Sequence, residues 1–122
     1  MDNPGGRYGA FARRVAEGVL ATSGHTTTEL RQAIAARAAR LGGGLRLASH
    51  QPMDNGVSAG LTAYIDNVAR HAYRVTDADV AALKRAGHSD DVLFEVTVAA
   101  ALGAALGRLE RGLATLNGAE PA

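Results

Sequence analysis

The sequence has no cysteine and no tryptophan, its aromatic residues amount to only 4%, and lysine occurs once, at Lys84. Without thiols there is no disulfide, no thiolate-bound metal and no cysteine-based redox chemistry. Without bulky aromatics the hydrophobic fraction, 47%, leans on alanine, which buries little area at about 25 cal/mol per Å² of apolar surface. A chain of 122 residues suits one compact domain that removes roughly two-thirds of its unfolded surface from water. Built from such small side chains, that domain is short of core. Burial between copies of the chain is the expected remedy, so a homo-oligomer is expected.

Charge of one sign is also missing. A net charge of +1 supplies no bulk field to hold nucleic acid or an anionic membrane surface. The marked preference for arginine over lysine, with abundant alanine and glycine, suits a GC-rich bacterial genome. No basic start followed by an apolar core and a cleavage site is seen, so a cytoplasmic location is expected. Strand signals are absent too, with no sustained alternation and few β-branched clusters.

What is present reads as about five helices, an all-α domain over residues 8–117 between a disordered segment 1–7 and a tail 118–122. Tyr8, Phe11, Ala12, Val15 and Val19 recur at helical spacing and predict a first helix. Thr26 and Glu29 have the spacing of a capping box for a second. Its inner stripe is Leu30, Ile34, Ala38 and Leu41, with Arg31, Arg37 and Arg40 off the stripe, and Gly42 to Gly44 end it. A loop follows from Leu45 to Gly56, marked by Pro52 and Asp54-Asn55-Gly56. A third helix runs from about Ser58 to Tyr73, with Leu61, Tyr64, Ile65, Val68 and Ala72 inward. Thr76 caps a short fourth helix with Asp77 and Asp79 in its first turn, Gly87 closes it, and Ser89 caps the fifth.

The run from Val92 to Gly107, VLFEVTVAAALGAALG, shows no polar face and predicts a central helix buried nearly all round. Over those residues it is too short and too poor in large apolar side chains to span a bilayer, so no membrane role is expected. Gly103 and Gly107, four apart, each cost roughly 1 kcal/mol against alanine. Their presence implies close backbone approach by another helix.

The stretch VTDADVAALKRAGHSDDVLFEVTVAAALGAALGRL, within Leu61 to Leu113, resembles the AhpD-like alkylhydroperoxidase and carboxymuconolactone decarboxylase superfamily. The likeness lies in a short helix ending in Ala-Gly, a Ser-Asp-Asp cap, and a long small-residue helix leading to an arginine. It covers somewhat under half of the chain and implies an AhpD-like helical bundle and a trimer or hexamer. The positions matching the redox-active cysteines are Ala72 and Val75, the histidine position is Asp79, and the proton-relay glutamate position is Gly60. No peroxidase residue carries over, and the decarboxylase-like branch offers none either. The resemblance therefore implies the fold without thiol peroxidase activity.

The residues themselves offer three candidates for chemistry: Glu95, His71 and Tyr73. An unpaired carboxylate inside an apolar helix would have a raised pKa and serve as a general acid or base. The bland reading pairs Glu95 with an arginine such as Arg70 or Arg74. His71 lies near a helix C-terminus, which favours its charged form, and with His88 and Glu95 it is placed to share a cleft between three helices; His25 and His50 fall in loops. No two of these stand at i, i+3 or i, i+4 on one helix, so no metal site is expected. Tyr64 and Tyr73 suit buried hydrogen bonds, and Arg108 and Arg111 suit the negative end of the last helix or an anionic ligand. A helix-turn-helix around Gly87 would put an acidic and then apolar helix into the major groove, which excludes nucleic acid. The expected function is a structural or apolar-small-molecule-binding homo-oligomer without cofactor; the alternative is a cofactor-independent acid/base enzyme, a lyase or isomerase or one acting on a lactone or carbonyl, using Glu95 with His71 or Tyr73.

Overall fold

The computed structural model describes residues 6–42, 53, 56–116 and 118. Most of the loop expected over 45–56, with His50, lies outside them, as do residues 1–5, 117 and 119–122. Five helices and no strand occur among the described residues. They are α1 (Gly6–Leu20), α2 (Thr28–Gly42), α3 (Ala59–His71), α4 (Asp77–Arg85) and α5 (Asp90–Leu116), with a 3₁₀ turn, Ala72–Arg74, after α3. The all-α reading holds.

The caps explain several of the boundaries. Ser58 accepts from the Leu61 N–H, Thr76 and Asp79 bond reciprocally in a capping box, and Ser89 accepts from the Val92 N–H. Gly87 takes φ +107°, which a side chain would resist, and so ends α4. One cap moves: the Leu30 N–H bonds Thr27, at 3.0 Å, and not Thr26. Thr26 is engaged elsewhere.

α5 is the centre of packing, with α2 and α3 against one side of it. The pairings advance together along the helices: Thr26 meets Glu95 and Ala39 meets Gly107, while Tyr64 meets Thr97 and Ala69 meets Arg108. α2, α3 and α5 therefore run in the same sense, and α4 carries the chain back between the last two. Ile34, Ile65 and Val96, one from each long helix, are the largest side chains wholly cut off from water.

The two glycines do what their spacing implies. A Cβ at Gly103 would fall on the backbone of Ala35, and one at Gly107 on that of Ala39. Gly42 is likewise pressed on Ala104. The close neighbour is α2 of the same chain.

Two expectations fail. α5 spans 27 residues, about 40 Å at 1.5 Å per residue, so its length and composition alone would suffice to cross a bilayer. It is also not buried nearly all round: Leu93, Val96, Ala99, Ala100, Gly103, Ala104 and Gly107 are covered, while Phe94, Ala101 and Ala105 are exposed. A single chain supplies neighbours for one side of the helix only. In α1 the expected apolar stripe is similarly turned, with Phe11 and Val15 exposed.

Candidate functional site

Glu95 faces the segment joining α1 to α2. Its carboxylate accepts from the backbone N–H of His25 and of Thr26, both at 2.7 Å, and from the Thr26 hydroxyl at 2.6 Å. Gly24 lies so close that a Cβ there would stand 2.7 Å from the carboxylate. The Thr26 hydroxyl first, then the His25 N–H, hold the Glu95 pKa down to about 2, below the ordinary 4.5. This reverses the rise an unpaired carboxylate would show, because every donor favours the charged form.

The cation nearest Glu95 is Arg31, its Nε 4.0 Å from the carboxylate, and not Arg70 or Arg74. Arg31 is buried although it lies off the apolar stripe. Its guanidinium donates to the carbonyls of Val19 and Thr22, so it fastens the C-terminal end of α1 to α2. Arg37 is buried as well and grips Asp66 of α3 through two bonds, of 2.6 and 2.9 Å. The Asp66 carboxylate raises the Arg37 pKa. Both arginines are ties between helices.

His71 and Tyr73 are brought to each other but not to Glu95. Their rings meet edge to face with centroids 5.9 Å apart, and Tyr73 is 79% exposed with Arg74 over its ring. They follow Ala69, whose carbonyl accepts from Arg108, and Arg108 is 13 residues, about 20 Å of helix, beyond Glu95. An acid/base pair of Glu95 with His71 or Tyr73 is therefore not assembled. Arg108 is also not in the last turn of α5, which continues to Leu116. Tyr64 bonds Thr97 at 2.7 Å, and Thr97 in turn donates to the Leu93 carbonyl at 2.6 Å, which leaves its hydroxyl in the core satisfied. No group of three or more His, Asp or Glu gathers as metal ligands among the described residues. His25 is exposed in its loop, 3.6 Å from Asp91.

A crevice of about 300 Å³ lies between α1 and the second half of α5. Ala12, Ala16, Leu106, Leu109 and Leu113 give it apolar walls, with Arg13 and Glu110 also lining it. A smaller hollow of about 200 Å³ lies between α3 and α4, where Asp79 is already engaged in its cap. The sequence carried a signal for the larger crevice, in alanines four apart on α1 and leucines at 106, 109 and 113 on α5. The signal was hidden because Phe11 and Val15 were the bulkier residues on α1. The chain matches no family model, no curated protein and no solved structure with which it was compared.

Proposed function

We propose that this chain is a binding or structural subunit and not an enzyme: a cytoplasmic, cysteine-less, AhpD-like homo-oligomer, a trimer or hexamer by that resemblance, without thiol peroxidase activity. Its ligand is an apolar small molecule held between α1 and α5. The observation that carries this reading is the crevice, whose volume lies at the low end of the range for small-molecule sites and whose walls are mainly alanine and leucine. The absence of cysteine supports it, since thiol turnover has no nucleophile here. So does the commitment of Glu95 to three donors, which leaves that carboxylate a very weak base.

Titration with N-phenyl-1-naphthylamine, a neutral apolar dye whose fluorescence rises out of water, tests the proposal. Saturable binding by the unaltered chain and its loss in Ala16→Phe, with an unchanged helical spectrum, are expected. No saturable binding, or binding indifferent to Ala16→Phe, would remove the crevice from the function.

A further inference from the structure

The side of α5 turned away from α2 and α3 carries Phe94 (69% exposed), Ala101, Ala105, Leu109, Gly112 and Leu116 (82% exposed), with Val98 half-buried among them. At 3.6 residues per turn these positions fall within an arc of about 80° and extend for about 33 Å. Scattered exposed apolar residues are ordinary. A continuous apolar stripe over six turns of the packing centre is not, and no charged residue lies within it.

We infer that this stripe is where two copies of the chain meet, about a two-fold axis that sets their α5 helices antiparallel. The inference rests on the homo-oligomer in the proposed function, but replaces the trimer or hexamer that the resemblance implies with a two-fold pair on one surface. The ends of the helix decide the direction. Asp90 and Asp91 stand at its start, and Arg108 and Arg111, with Glu110 between them, leave a net positive charge in its last third. An antiparallel pair brings each acidic end toward a basic end and opposes the helix dipoles, whereas a parallel pair would stack like on like. His25, Lys84 and the Ala69 carbonyl already engage these residues within one chain, so the charges set orientation more than they bond across the contact.

Register follows from size. With Phe94 against Leu109 of the second copy, Ala101 falls at the axis, where a small side chain lets the backbones approach, and Ala105 faces Val98. Leu109 also lines the α1–α5 crevice, so the second copy would border its mouth. In that register the two stripes overlap from Phe94 to Leu109, about 22 Å, and at about 12 Å wide this gives about 270 Å² per copy, or about 540 Å² for the pair, against the roughly 1,200–2,000 Å² of stable interfaces. The association is therefore reversible and depends on concentration.

Sedimentation equilibrium from about 1 µM to 1 mM, with cysteine pairing in this naturally cysteine-free chain, tests the inference. The mass should rise with concentration from 12.5 kDa toward twice that value. Ala101→Glu, at an exposed position, should keep the protein at 12.5 kDa with its helical spectrum intact. Phe94→Cys mixed with Leu109→Cys should form a mixed disulfide at least ten-fold faster than either variant pairs with itself. A monomer at every concentration would overturn both this contact and the assembly reading, and one that co-sediments with phosphatidylcholine vesicles would give the stripe to lipid. A trimer or hexamer, or a dimer indifferent to Ala101→Glu, would keep assembly but move it to another surface. Faster pairing of Phe94→Cys with itself would reverse the direction.

Discussion

Glu95 shows how one carboxylate can be diverted from chemistry to architecture. Its folded pKa is depressed to about 2 from 4.5, so the stability it contributes is complete above pH 4.5 and is lost as pH falls toward 2. Urea midpoints should therefore place Glu95→Gln below the unaltered chain at pH 6, with the gap much narrower at pH 2.5 and closed only as pH falls through the folded pKa of about 2. Other carboxyls titrate in both proteins, so the difference isolates this one, and a gap unchanged over that range would refute the assignment. The Arg37–Asp66 pair makes a different demand. Asp66→Ala strands a buried guanidinium and should cost about 3 kcal/mol, the low end for such losses because the Asp66 side chain is 22% exposed. Replacing both, Arg37→Met with Asp66→Leu, should recover most of that in chemical denaturation. Neither pairing was legible in the sequence. Asp66 follows Arg37 by 29 residues and Thr26 precedes Glu95 by 69, distances over which residue spacing says nothing about contact.

Among the elements, what could be read in advance was what is decided locally. Ser58, Thr76, Gly87 and Ser89 act within a few residues of themselves, and their helices begin or end where these caps place them. The rotation of a helix is not a local property, which is why α1 faces α5 with its alanines and leaves Phe11 and Val15 outside. Thr26 misled for a related reason: it has the chemistry of an N-cap, but Glu95 takes its hydroxyl and the next threonine caps α2. The α2–α5 contact gives the sharpest test at this scale. Gly112→Ala, with open space around its Cβ, should stabilise α5 by up to about 1 kcal/mol through helix propensity. Gly103→Ala gains the same propensity but drives a methyl into the Ala35 backbone, and overpacking of about 1–3 kcal/mol or more should outweigh it. Thermal unfolding of the two variants should move in opposite directions. If Gly103→Ala also raised Tm, α2 would have to lie farther from α5 than the structure places it.

For the molecule as a whole, stability is unevenly distributed, and this follows from which side of each helix is covered. The covered residues lie in α2 from Arg31 to Leu41, α3 from Leu61 to Ala69 and α5 from Leu93 to Gly107, with Leu83 the one buried residue of α4. Nothing from Arg108 to Leu116 is buried, and α1 has no buried residue among those whose burial is described. Local opening is easiest where few apolar contacts must be broken. In dilute solution, amide hydrogen exchange should therefore be slowest in the three covered segments and much faster in α1 and the last turns of α5. Raising the protein concentration should leave the slow segments unchanged, since global unfolding already limits them, and slow exchange around Leu109 if a second copy covers the stripe from Phe94 to that residue. Uniform protection along α5 in a dilute monomer would contradict the one-sided packing, because a helix open to water along its length has no means of shielding its exposed end as well as its core.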